Sequence, residues 1–517
     1  MRGHGFLVAL LVVLAAPFLV RGLFAVTGSE RRDLEPGAIE LRILTPHNQD
    51  IRETFARAFS LWHQERFGKK VRVVYLTPGG AMDIVRYVNE AYSLVRDSRT
   101  GQLAPEDRIA TVAELVWGGG DVTFDRELKP YLKPVALQNG VLSAAFPEPD
   151  LNGIALYERR PGGESPRWVG IALSSFGILY SPPLYRTLGL PAPKTWQDLT
   201  RPELAGLLAL ADPTRSGSAA IAYVMTVQRA MADAERAFLN QAPRFAGLPE
   251  EAPGYRAALA EGWKRGMRTL VLMAANARYF TDAASQPPND VGNGEAAAGV
   301  AIDFYARVFQ DNIGQGRLQY VAPRAATAVT PDPVGVLYGT LEQPELIANR
   351  FIEFLLSAEA QRLWNLTPQA SPLLERSLRR LPIRRDVYRD RRGFADDEDP
   401  FRQSGDFNLR SDWMRSFREL RLVWGAAFID GKGVLDEAYR RILAVRDAAR
   451  RDRLLEELSS LPIEMSELER LSAERRRIDA DPSGARDSRL YLARARVELA
   501  HRFRNHYRAV GGRAERE

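Results

Sequence analysis

The chain has 517 residues, 45% of them hydrophobic, with 71 basic against 65 acidic side chains and a formal net charge of +6. That length supports roughly two to four domains with full hydrophobic cores. Cysteine is absent, which excludes disulfide scaffolds, thiolate zinc sites, iron–sulfur clusters, cysteine nucleophiles and a lipid anchor carried on cysteine.

Arg2 precedes an apolar run from Phe6 to Val20, and after Arg21 the apolar stretch resumes as far as Val26. This reads as an export segment. Residues 1–28 are either a cleaved signal peptide or a retained N-terminal membrane anchor, because the run lies between the two in length and Leu23 and Ala25 make a poor cleavage site. The expected location is the periplasm, secreted or held at the cytoplasmic membrane.

From Ile39 to Leu44 the pattern predicts a strand, from Asp50 to Gln64 a helix with Phe55, Phe59 and Trp62 at helical spacing, and from Val71 to Leu76 a second strand. Strand, helix, strand is the signature of a parallel α/β sheet. The loops after the two strands hold Thr45 and His47, then Gly79 and Gly80, where open α/β sheets collect ligands. Gly79 and Gly80 also free backbone amides just before a helix around Met82 to Tyr92.

Ala113 to Trp117 reads as a buried strand running into Gly118-Gly119-Gly120. Extended runs at Val169 to Leu173 and Ile178 to Tyr180 flank Ser174 and Ser175, two more candidate ligand contacts. Thr195 is placed to cap a helix. Leu207 to Ala211 reads as a strand, and after Asp212 to Ser218 the chain turns helical from Ala219 to Arg236. Ser216, Gly217 and Ser218 at that helix start offer amides, hydroxyls and the positive end of the dipole to an anion, with Arg215 adding charge. The competing reading makes Ser216 a simple N-cap. Asp303, in the run AIDFYA, is a carboxylate with apolar flanks that needs a partner if buried.

These segments carry a resemblance. LRILTPHNQDI, LVWGGG at Leu115 to Gly120, SSFGILYS at Ser174 to Ser181, LGLPAPKTWQDL at Leu188 to Leu199, LADPTRSGSA at Leu210 to Ala219, GEAAAGVAID at Gly294 to Asp303 and ELIANRFIEFLLSAEAQRLW at Glu345 to Trp364 follow one another in a family's order. From about Ile39 to Tyr388 the chain resembles bacterial extracellular solute-binding proteins of ABC importers, closest to the ferric-iron-binding group. The resemblance implies an α/β, two-lobed type II periplasmic-binding-protein clamshell that closes over a small solute and passes it to an ABC permease, with no chemistry on the solute and no cofactor. It implies lobe one at 38–172 plus 322–392 and lobe two at 173–321, with a hinge in the Pro- and Ala-rich return segment from Tyr320 to Pro333.

Ferric binders of this family commonly use two adjacent tyrosines. This chain has no such pair: Tyr279 is followed by Phe280. Tyr279, Asp303 and His47 remain as metal candidates, and the departure places ferric iron below an organic or phosphorylated anion as the expected solute.

Beyond residue 392 the chain becomes denser in charge, with arginines and acidic residues nearly balanced. Residues 393–517 read as a charged α-helical extension, with amphipathic patterns over Asp412 to Trp424, Leu435 to Leu458 and Ser488 to Tyr507. The expected arrangement packs it on lobe one, leaving residues 38–392 a soluble unit without it; the alternative is a docking surface for a protein partner. The balance of signs does not favour nucleic acid. GxSxG, HExxH, phosphate-loop and GxGxxG motifs are absent, which disfavours an enzyme. A solute receptor and a membrane-tethered sensor acting through the C-terminal helices are the two functional readings. Alkaline phosphatase fused after residue 60 should be active in bacteria, and an inactive fusion would contradict export.

Overall fold

The computed structural model describes residues 39–97, 102–109, 111–314, 316–403, 407, 409–410, 413–480 and 485–515. The export segment lies outside the described residues. Among the described residues no helix is long and apolar enough to cross a membrane.

Strands β1 (Ile39–Leu44) and β2 (Val71–Leu76) pair in parallel, joined by helix α1 (Gln49–Phe67). Asn48 starts α1 by accepting a hydrogen bond from Ile51 N at 3.1 Å, and Gly68 ends it at φ 68°. The apolar stripe of α1 enters an aromatic core in which Phe55 meets Trp364 at 4.2 Å and Trp117 at 5.6 Å between ring centroids. Helix α2 (Ala81–Ser93) follows, then β3 (Leu115–Trp117), β4 (Leu132–Lys133) and β5 (Val169–Ser174). A second group comprises β6 (Phe176–Tyr180), β7 (Leu208–Ala211), α3 (Gly217–Gln241), α4 (Tyr255–Asn276), β8 (Ala277–Thr281), β9 (Ala298–Ile302), α5 (Asp303–Ile313) and β10 (Gln319–Val321). The chain then returns through β11 (Thr330–Leu337), α6 (Glu342–Leu356) and β12 (Leu381–Pro382).

These strands form two sheets, and a separate short pair joins Asp150–Leu151 to Ile154–Ala155. The first has the order β12-β5-β11-β3-β1-β2, with β4 paired to β11; the second has the order β8-β7-β9-β6-β10. Within the first, β1 is parallel to β2 and β3, while β11 runs antiparallel to β3 and β5. Ser175 alone separates β5 of one sheet from β6 of the other, and residues 322–329 make the return crossing. The fold is thus an α/β clamshell with two short crossings between its halves, called lobe one and lobe two by their sheets.

The C-terminal region is helical, with α7 (Phe417–Trp424), α8 (Lys432–Leu443), α9 (Ala448–Ser459), α10 (Met465–Asp479) and α11 (Ala485–Ala514). The single stripe expected over Leu435 to Leu458 is two helices, because Asp447 caps α9 by accepting from Arg450 N at 2.6 Å. The expected packing on lobe one is corrected by the structure: the extension is seated mainly on lobe two. Tyr439 donates to Asn276 Oδ1 at 2.8 Å, Lys432 to Ala277 O at 2.7 Å, and Lys264 pairs with Glu464 at 3.0 Å. The reason lies in α4, whose buried positions occupy more than one face. One face meets α3, and Trp424, Phe428, Tyr439 and Ile442 join the same buried cluster from the extension.

Residues 38–392 therefore do not close their own core. A chain ending at residue 392 should expose the apolar surface of α3 and α4, bind an apolar dye and aggregate. In the full chain, Trp424→Ala should lower the unfolding free energy by about 3–5 kcal/mol in urea titration, whereas a change under 1 kcal/mol would show that the extension is only loosely apposed.

Candidate functional site

The carboxyl ends of several strands and the starts of two long helices converge between the lobes on a cavity of about 100 Å³. That is room for several waters or one small ligand. Lobe one lines it with Pro46 and His47 after β1, Gly80 and Ala81 at the start of α2, Gly119 and Gly120 after β3, and Ser174, Asp332 and Arg380. Lobe two contributes Ser216, Gly217 and Ser218 at the start of α3, residues 283–285, Ile302, Phe304 and Tyr305.

The lobes come close at the helix starts. A Cβ on Gly217 would lie 3.1 Å from Thr123 Oγ1, 3.6 Å from Gly119 O and 3.9 Å from the Ala81 Cβ, so glycine lets the backbone of α3 approach lobe one. Ser216 caps α3, its hydroxyl accepting from Ala219 N at 3.2 Å, and Asp83 accepts from Gly80 N at 3.0 Å at the start of α2. Both helices direct the positive ends of their dipoles toward the cavity.

The floor on the lobe-one side is a buried charge network. Asp332, on β11, accepts from Gly119 N at 3.0 Å and Gly120 N at 3.3 Å through Oδ1. Its Oδ2 lies 2.8 Å from His47 Nε2 and 2.7 Å from Arg380 Nη2. Burial works to raise the Asp332 pKa, but Arg380, His47 and the Gly119 amide together outweigh it and hold the carboxyl well below the usual range, hence ionised. Burial lowers the His47 pKa, against the pull of Asp332. His47 Nε2 faces both Asp332 Oδ2, at 2.8 Å, and Arg380 Nη1, at 3.0 Å, while Nδ1 lies 2.9 Å from the Thr45 hydroxyl. Arg380 also donates to Ser174 Oγ at 3.1 Å, and its guanidinium lies 4.4 Å from the centre of the Phe304 ring. Its buried Nε has no hydrogen-bond partner.

Of the residues singled out in the sequence, His47, Gly80, Ser174, Ser216, Gly217 and Ser218 line the cavity. Thr45 stands behind His47, and Gly79 precedes Gly80 at φ 141°. Ser175 and Asp303 pair with each other at the crossing: Asp303 Oδ2 accepts from Ser175 N at 2.9 Å and Oγ at 3.1 Å. Burial raises the Asp303 pKa, with Arg307 and the Ser175 amide opposing. Arg215 turns its side chain to Asp282, and Tyr279 is 40% exposed with its hydroxyl 3.4 Å from Glu295. Neither lines the cavity. His47, Asp303 and Tyr279 are thus held by separate partners, and the described residues contain no group of three or more His, Asp or Glu suited to a metal.

Sequence reasoning missed Asp332 and Arg380. Asp332 carried the same signal as Asp303, a carboxylate inside an apolar run. Arg380 carried none, being one of several arginines between Arg376 and Arg385.

Residues 161–380 match the family model for bacterial extracellular solute-binding proteins. The periplasmic binding protein P5PA superposes with a TM-score of 0.51 at 15% identity, covering 75% of this chain and 98% of that one. The fold is that of the extracellular solute-binding proteins. The fructose-6-phosphate-bound AfuA of Actinobacillus pleuropneumoniae gives a TM-score of 0.47 at 15% identity, covering 72% of this chain and 89% of AfuA. Among curated relatives, the phosphoglycerate transport regulatory protein PgtC of Salmonella typhimurium is 25% identical over 197 residues, 38% of this chain. That match spans 40% of the length of PgtC. In this solute-binding fold, removing the Asp332 charge leaves Arg380 without its buried counter-ion. Asp332→Ala should therefore lower stability by about 3–5 kcal/mol in denaturant titration, and a loss below 1 kcal/mol would contradict the network.

Proposed function

We propose that the protein captures a small anion in the interlobe cavity and delivers it, outside the cytoplasmic membrane, to an ABC-type importer. The observation that carries this reading is the convergence of two helix N-termini, at Gly80–Ala81 and at Gly217–Ser218, on one cavity that also holds Arg380. Amide donors at a helix start and the positive end of its dipole bind phosphate and carboxylate groups. Arg380 is already paired with Asp332, so the anion is met chiefly by oriented N–H and O–H donors, an arrangement suited to a compact, strongly accepting group. A phosphorylated carboxylate is the favoured class, and the printed name of PgtC, which refers to phosphoglycerate transport, supports it. The membership of the strands in two sheets supports a division close to lobe one at 38–172 plus 322–392 and lobe two at 173–321, with the first boundary moved to Ser175 because β5 stays in the lobe-one sheet through Ser174.

The second reading is a sensor that acts on a partner through the C-terminal helices. It is favoured by the contacts these helices make with both lobes and by the word regulatory in the name of PgtC. In a deletion strain, lost uptake of the solute points to transport, and retained uptake with lost induction points to sensing.

A thermal-shift screen of phosphorylated metabolites, organic acids, ferric citrate, sugars and polyamines tests the anion assignment, since a bound solute stabilises in proportion to its concentration over Kd. Ser218→Ala should weaken anion binding about tenfold or more, the loss of a hydrogen bond to a charged group, with little change in unliganded unfolding. Shifts with neutral sugars or polyamines alone would overturn it.

A further inference from the structure

Helix α7 is seated on lobe two and reaches lobe one. Trp424 meets Tyr223 of α3 edge to face at 5.6 Å, and a Cβ on Gly425 would lie 2.8 Å from Thr214 Cγ2, so the end of α7 is pressed onto the loop that leads into α3. Arg421 fastens the same loop, Nε donating to Pro213 O at 2.9 Å and Nη2 to Thr214 O at 2.6 Å. From this seat two side chains cross to the other lobe. Arg421 Nη1 lies 3.4 Å from Met82 Sδ on α2, and Arg418 Nη2 donates to Glu127 Oε2 at 2.6 Å. Glu127 belongs to the helical segment Phe124–Leu128, a few residues beyond Gly120. The contacts of α7 therefore fall on three chain segments whose near ends line the cavity.

We infer that α7 is a clasp across the cleft, and that Arg418 and Arg421 are positioning residues for solute capture although neither lines the cavity. The inference rests on the proposed function only in taking the cavity as the place of the solute. Motion at Ser175 and at residues 322–329 that opens the cleft carries lobe one away from α7 and breaks the Arg418–Glu127 pair. The closed state is then favoured by contacts outside the cavity, and solute affinity follows the population of that state. The pair is partly exposed, with side-chain exposures of 38% and 18%, so its loss should weaken binding by roughly two- to fivefold.

The chain has no cysteine, so Tyr87→Cys on lobe one and Leu248→Cys on lobe two, both exposed positions, can carry spin labels in the full-length protein. Without added solute, Arg418→Glu and Glu127→Arg should each lengthen the interlobe distance, and the double charge swap should restore it. With phosphoglycerate as probe, the single variants should bind about two- to fivefold more weakly and the swap should recover the affinity. Unchanged distances in both single variants overturn the clasp, as does a swap that fails to rescue them. If the distances respond as expected while the unsubstituted protein binds no phosphoglycerate, the clasp stands and the solute assignment fails.

Discussion

A carboxylate buried in the middle of a strand fixes the geometry of the cleft. Asp332 is 6% exposed, and an unpaired charge at that depth would cost several kcal/mol. Its partners come from three other parts of lobe one: His47 from the loop after β1, the Gly119 and Gly120 amides after β3, and Arg380 before β12. The carboxylate thereby gathers chain segments far apart in sequence into one surface. The same pairing leaves the cavity with no free full charge on this wall, so recognition falls to oriented donors.

Close approach is the second constraint. Gly118, Gly119 and Gly120 all have positive φ, and a Cβ on Gly118 would sit 2.8 Å from His47 Cε1. A side chain there would be strained and would also displace the imidazole from Asp332. Gly217 does the corresponding work across the cleft, bringing the start of α3 against lobe one. Small residues thus let two helix N-termini share one small cavity.

The extension belongs to the same machinery. Its apolar residues complete the core around α3 and α4, and Arg421 fastens it to the loop before α3. Because α7 is fixed to one lobe and bonded to the other, the extension is both part of the fold of lobe two and a restraint on the cleft. Part of its dense charge is held in ion pairs such as Arg502 with Glu467 and Arg496 with Asp430.

The sequence by itself determined what depends on neighbours in the chain. The helix starts at Gly80 and Ser216, the strands before them and the glycine run after Trp117 are local patterns of capping, alternation and backbone freedom, and they already marked much of the cleft. It also carried the two-lobed fold through motifs in order. Asp332 was legible by the rule applied to Asp303, that a carboxylate with apolar flanks needs a partner, yet the rule does not say which such carboxylate faces a cavity and which, like Asp303, braces a crossing. The tertiary structure alone decided that Arg380 among its neighbouring arginines is buried, that Arg215 turns away, and that the extension packs on lobe two. Each of these depends on contacts between residues tens to hundreds of positions apart, where burial and pairing are set by packing and leave no local trace.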